Sequence, residues 1–191
     1  MTSIVLTGVG GQDLQLACDV LGRTAVGAGA MLKICEDRGP VQCGSSLICH
    51  VRFSKNSEVF SPTVARGEAD VLIAMEIREA LRCAAYLEAG GGCAYVNRLL
   101  LGPGQPAAVE RKLRERLPRC LLLDAEPLAA QADVPRASCA VLLGAAAASL
   151  DLPKELWLEA VRESIRPQYV PGSLQAFEMG YAASTSWEAA S

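Results

Sequence analysis

The sequence predicts an α/β domain with a Rossmann-like, largely parallel sheet and flanking helices, and three observations predict it. Apolar runs of strand length alternate with stretches of helical period through the first two-thirds of the chain. The first run ends in a glycine cluster that opens a helix, TSIVLTGVGGQD. Two later runs end in single polar residues, Glu76 and Asn97, where α/β sheets place ligands. At 191 residues, 51% hydrophobic and 20% charged, the chain suits one domain. We expect that domain over residues 1–183, with a small polar tail over 184–191.

Ser3 to Thr7 reads as a buried strand. Leu14, Ala17, Cys18, Leu21 and Ala25 then recur at i, i+3, i+4, i+7 and i+11, an amphipathic helix stopped by Gly27 and Gly29. Met31 to Cys35 suits a second strand, and EDRGPVQCGSS, without a period, a loop. Ser46–Phe53 and Val59–Val64, separated by Ser54-Lys55-Asn56-Ser57, predict an inserted β-hairpin. Ala69 to Met75 is a central strand, Ile77, Ala80, Leu81, Ala84 and Leu87 mark a helix, and Cys93 to Asn97 is the next strand. Val109, Leu113 and Leu117 mark an exposed helix with Glu110 and Arg114 at i, i+4, before a strand at Cys120–Leu123. From about residue 138 the segment is helical: SCAVLLGAAAASL, small and apolar all round, a helix from Pro153 with Leu158, Val161 and Ile165 inward, and a last one carrying Leu174, Phe177 and Tyr181.

A net charge of -3 and no long basic run give no electrostatic footprint for nucleic acid or an anionic membrane. No segment resembles a signal peptide or reaches bilayer-spanning length, so the expected compartment is the cytoplasm. The eight cysteines are scattered without a C-x-x-C pair, which reads as free buried thiols. One histidine and unpaired carboxylates are not a metal-ligand set, and no iron–sulfur cluster is expected on this chain alone.

Chemistry then rests on loops. Gly8-Val9-Gly10-Gly11 between strand and helix can turn backbone N–H groups toward a phosphate, or simply turn the chain. Asp13 stands where a dinucleotide loop wants glycine, and its carboxylate can cap the helix and repel a pyrophosphate. Glu36 is the nearest candidate for the acidic residue a nicotinamide cofactor needs. Ile48, His50 and Arg52 share one strand face. His50 reads as structural, whereas Arg52 can clamp a carboxylate or phosphate or pair with Glu36, Glu68 or Glu76. Glu76 and Asn97 should meet Gly10 and Gln12 in one crevice of a parallel sheet, or cap the helices that follow them.

The blocks TSIVLTGVGGQ, E-x-x-G-x-x-Q-x-G-S-S-x-x-x-H-V-R-F (Glu36 to Phe53), SPTV, GEADVLIAMEIREALRCAAYLEAGG, VLLGAAAASLDLP and SLQAFEMGYA resemble, in order and spacing, the gamma-type small subunits of 2-oxoacid:ferredoxin oxidoreductases. The likeness covers nearly the whole chain and is greatest to the indolepyruvate-type beta subunit. It implies a complex that converts a 2-oxoacid and coenzyme A to acyl-CoA, carbon dioxide and reduced ferredoxin. Thiamine diphosphate, magnesium and iron–sulfur clusters would belong to a large partner subunit, with coenzyme A at the interface and no catalytic residue on this chain. The candidate cofactor-binding set is Gly8, Gly10, Gly11, Gln12, Gln42, Arg52, Glu76 and Asn97. Asp13, Cys43 and Ser45 depart from the family's usual G-G-Q-G and G-M-S-Q-R-G-G-S; Arg38 is the nearest replacement for the missing arginine. A diverged, non-catalytic scaffold homologue is the alternative reading.

Overall fold

The computed structural model describes residues 1–10, 12–38, 45–134 and 137–189, with the Arg38 side chain outside that set. Six described strands form one sheet: β1 (Thr2–Val9), β2 (Met31–Arg38), β3 (Ser46–Ser54), β4 (Val71–Ala74), β5 (Cys93–Asn97) and β6 (Cys120–Leu123), in the order β2-β3-β1-β4-β5-β6. β1, β4, β5 and β6 run parallel, each to its neighbour, and β3 runs antiparallel to both β1 and β2. Seven described α-helices flank it: α1 (Leu14–Gly27), α2 (Ile77–Cys83), α3 (Pro106–Arg116), α4 (Ala125–Gln131), α5 (Ser138–Ser149), α6 (Lys154–Ser164) and α7 (Val170–Glu188).

The strand period divides the core between the two sheet faces. Ile4 and Leu6 of β1 and Val71 and Ile73 of β4 face a large core completed by α1 and by the C-terminal helices. Val5, Leu72 and Ala74 face a smaller core closed by α2, by Leu113 of α3 and by Val64. The stripe Leu14, Ala17, Cys18, Leu21 and Ala25 of α1 is buried as its spacing requires.

The all-round small residues of α5 let another helix touch its backbone. A Cβ on Gly144 would lie 1.9 Å from the Phe177 carbonyl oxygen of α7, and a Cβ on Gly180 of α7 would lie 1.9 Å from the Val141 carbonyl oxygen of α5. Trp157 of α6, fully buried, packs beside Phe177 with ring centroids 6.1 Å apart.

Several expectations change. The hairpin exists, but its strands are β2 and β3, and β2 extends to Arg38 into what reads as a loop. Val59–Val64 is not a strand: Val59 and Val64 are buried pegs of an irregular segment, and Pro62 cannot donate to a ladder. α2 ends at Cys83 and tightens into a single 3₁₀ turn at Ala84–Tyr86. α4 was not foreseen, and Glu110 pairs with Arg98 at 3.5 Å rather than with Arg114. α7 continues through the expected tail boundary, with Ser184 buried and Trp187 packed against the core.

His50 is a buried member of β3 whose Nδ1 accepts the Val64 N–H at 3.4 Å, and its ring meets Tyr86 edge-on at 5.5 Å. Burial lowers its pKa below the ordinary 6.5, while the Asp37 carboxylate pulls the other way. The unfolded chain therefore binds a proton more readily than the fold, so stability falls as pH drops below about 6.5. His50→Asn, which keeps an acceptor for Val64, is expected to flatten the slope of denaturation free energy between neutral and mildly acidic pH; an unchanged slope would assign it to another group.

Candidate functional site

The parallel strands bring Gly8–Gly10, Gln12–Asp13, Met75–Glu76, Asn97 and the start of α4 to one edge. The loop after β1 is closed by its own residues. Gln12 folds back so that its Oε1 accepts the Val9 N–H at 2.7 Å, while its Nε2 donates to the Met75 carbonyl at 3.4 Å. The Gly10 N–H donates to the Ser45 carbonyl at 3.0 Å and the Gln12 N–H to the Val9 carbonyl at 3.2 Å. A side chain on Gly8 would meet Gln12 Oε1 at 2.7 Å and the Met75 Cβ at 3.0 Å, so close packing requires glycine there. These described N–H groups face protein acceptors, not an open phosphate cradle.

Asp13 adopts φ 55°, ψ 27° at the head of α1 and makes no side-chain capping bond. The left-handed conformation, rather than a phosphate contact, explains why glycine suits this position, and aspartate is among the few other residues that tolerate it. Asp13→Ala is expected to be about 1 kcal/mol less stable than Asp13→Gly by urea denaturation, because alanine carries the Cβ penalty without local polar compensation. Equal stabilities would remove the backbone explanation.

Asn97, 1% exposed, ties three strand ends together. Its Nδ2 donates to the Met75 carbonyl at 3.2 Å and to Glu126 Oε1 at 2.7 Å, and its Oδ1 accepts the Ala125 N–H at 3.2 Å. Glu76, also buried, caps α2 by accepting the Glu79 N–H at 2.9 Å; its other oxygen has no partner among the described residues. Beside it, Glu79 accepts from Ser46 Oγ at 2.6 Å and from Arg82 Nε at 2.9 Å, and lies 3.1 Å from Thr7 Oγ1. This charged cluster links β1, β3 and α2 under the same edge.

A cleft of about 610 Å³ opens over these groups, lined by Gln12, Asp13, Met75, Asn97, Leu99, Glu126, Asp133, Val134 and neighbouring alanines. A second hollow of about 410 Å³ shares Asp13, Val134 and Ala137 and extends to Arg166 and Tyr169. The first combines apolar walls with the carboxyl groups of Asp13, Glu126 and Asp133. The described part of that lining does not fit a pyrophosphate, because its carboxylates oppose the charge of each phosphate.

The structure thus brings Gly8, Gly10, Gln12, Glu76 and Asn97 to one edge, whereas Arg52 stands elsewhere. β3 runs antiparallel to β1, so Arg52 registers with Ser3 at the opposite end of the sheet. There it donates to the Thr63 carbonyl at 3.1 Å and lies 3.9 Å from Glu68. Glu36 is on β2, two strands from β1. Gly11, Gln42 and Cys43 lie outside the described residues, as does the Arg38 side chain. Glu126 and Glu79 are additions; Glu126 follows β6 as Glu76 follows β4, and that parallel was the available signal.

No group of three or more potential metal ligands occurs among the described residues. The seven described cysteines are free, and burial pushes Cys120 and Cys139 up to about 12, which leaves them as inert thiols at neutral pH. No described helix is long and apolar enough to cross a membrane.

The comparisons with known proteins bear on the same chain from end to end. The pyruvate ferredoxin/flavodoxin oxidoreductase family matches residues 3–183. The indolepyruvate oxidoreductase subunit IorB of Pyrococcus horikoshii is 33% identical over 93% of both chains, and that of Archaeoglobus fulgidus is 31% identical over 94% of this chain and 93% of its own. Among solved structures, the gamma subunit of a keto/oxoacid ferredoxin oxidoreductase from Geobacter sulfurreducens superposes with a TM-score of 0.74 at 22% identity, covering 97% of this chain and 99% of its own. The 2-oxoglutarate:ferredoxin oxidoreductase of Magnetococcus marinus gives 0.77 at 16% identity, covering 97% of this chain but 31% of its own, so the same fold occurs there within a longer chain. With 181 of its 191 residues spanned by the family match, this chain belongs to the pyruvate ferredoxin/flavodoxin oxidoreductase family.

Proposed function

We propose that the chain is the non-thiamine subunit of an indolepyruvate-type 2-oxoacid:ferredoxin oxidoreductase, which converts an arylpyruvate-class 2-oxoacid and coenzyme A to acyl-CoA, carbon dioxide and reduced ferredoxin. The observation that carries the reading is the alignment with IorB over 93% of both chains at 33% identity. In this reading thiamine diphosphate, held by the large partner subunit, would supply the carbanion chemistry, and that partner's iron–sulfur clusters would carry the electrons for ferredoxin. The described cleft residues do not fit the phosphates of coenzyme A, so we assign those phosphates to the partner's side of the interface. In this reading the chain's residues build a wall: Gln12, Asn97 and Glu126 brace the carboxyl edge that faces the partner, and the apolar walls of the cleft, between its carboxyl groups, keep that contact free of bulk water.

The test is anaerobic reconstitution with the large subunit, followed by coenzyme-A-dependent dye reduction with aryl and alkyl 2-oxoacids. The reading expects activity from the two subunits together, an aryl preference, and none from either alone. Activity of this chain by itself would overturn it. The internally satisfied loop and the acidic cleft favour a second reading, a non-catalytic scaffold homologue; stable assembly with the partner without turnover would select it.

A further inference from the structure

The outer edge of β2 is the longest backbone edge that the described fold leaves unpaired. Its 8 residues span about 26 Å, whereas the opposite edge, β6, has 4 residues, three of them buried. An exposed edge of this length is a template for another strand unless charge or curvature protects it. Apolar side chains flank it: Met31 is 48% exposed, Ile34 38% and Phe60 80%. Phe60 is held beside the strand by its carbonyl, which accepts from Lys33 Nζ at 2.9 Å. On the other face, Gly22 of α1 lies against Leu32 and Ile34, and exposed Val26 follows one helical turn later.

We propose that this edge is a self-association surface, on which β2 pairs antiparallel with β2 of a second copy to join two six-stranded sheets into one. A two-fold axis normal to the sheet is the operator that does this, and it makes opposed residues share a face, so their numbers sum to an even value. The charges choose among such registers. With the axis at Cys35, Lys33 opposes Asp37 of the second copy and Asp37 opposes its Lys33, while Ile34 opposes Glu36 on the other face. With the axis at Ile34, Lys33 opposes Cys35 and Met31 opposes Asp37, so no charge is matched; with the axis at Glu36, a carboxylate meets its own copy. The edge charges that usually discourage pairing are here self-complementary in one register. That register places Cys35, the one described cysteine that is not buried, against its counterpart on the axis.

This inference is independent of the reading of the cleft. Sedimentation of the full chain across a concentration series is expected to show a monomer–dimer equilibrium. Lys33→Glu should weaken it about tenfold or more, since like charges then meet twice. The double variant Lys33→Glu/Asp37→Lys should restore it; because the Lys33 contact with Phe60 is lost in both variants, only the contact between copies can account for rescue. A short bis-maleimide should link two chains through Cys35, and Cys35→Ser should abolish the link. A monomer at every concentration overturns the proposal, as does a dimer indifferent to the charge reversal and unlinked at Cys35. Alkylation of Cys35 that is blocked only when the large subunit is bound would also overturn it, assigning the edge to that partner.

Discussion

Gly144→Ala is expected to destabilise the fold by about 3 kcal/mol or more. The added Cβ would sit 1.9 Å from the Phe177 carbonyl oxygen, and that oxygen belongs to a helix backbone that has no rotamer by which to withdraw. α5 and α7 would have to separate, opening voids around Phe177 and Trp157 in the largest core. Gly180→Ala should be comparable, since its Cβ would meet the Val141 carbonyl oxygen at the same separation. Because both glycines serve one helix contact, the double variant should lose less than the sum of the singles. Urea denaturation checks all three, and a loss below about 1 kcal/mol for Gly144→Ala would show that the helices can slide apart freely.

Asn97→Asp is expected to be nearly as damaging at neutral pH and to differ from Asn97→Ala in its pH response. Asn97→Ala leaves the Ala125 N–H buried without its partner and the Met75 carbonyl with only the longer 3.4 Å contact from Gln12, a loss of about 1–3 kcal/mol. Asn97→Asp retains the acceptor for Ala125 but turns an oxygen toward the Met75 carbonyl and the Glu126 carboxylate, where the amide had donated. A proton on the new carboxyl restores a donor. The folded state of the variant therefore binds that proton more tightly than the unfolded chain, and its stability should rise on acidification while that of Asn97→Ala gains no such increment. Parallel pH profiles for the two variants would show that repulsion between carboxylates is not the cause.

Both predictions rest on contacts that the sequence announces unequally. The helix face of α1 was legible because five apolar residues recur at one period and nothing competes with burying them. The all-round apolar character of α5 announced burial, but not that Gly144 and Gly180 oppose each other's helix backbone, because periodicity says nothing about which distant helix approaches. Asn97 and Glu76 were legible as strand-end residues once a parallel sheet was inferred. Their roles were not, because a polar residue at such an end can hold a ligand or hold the chain, and only the partners at 2.7–3.2 Å decide.

The failures have equally local causes. The face shared by Ile48, His50 and Arg52 was legible, but not the end of the sheet at which Arg52 stands, because a strand's alternation is the same whichever way it runs. Val59 and Val64 imitated a strand because two buried pegs in a surface loop carry the same apolar signal as part of a strand face. Asp13 suggested a helix cap by residue type, whereas its backbone geometry is what the position selects.

The antiparallel placement of β3 gives the rim of the sheet an uneven share of the chain. β1 leaves at the carboxyl edge, β2 ends there and β3 begins there, and the turns into α2 and α4 follow at the same end. Asp13 and Ser45 both fall in connections at this rim, outside every described strand and helix. Substitutions in these connections can therefore change which groups the edge presents while leaving the apolar faces of the described strands and helices as they are.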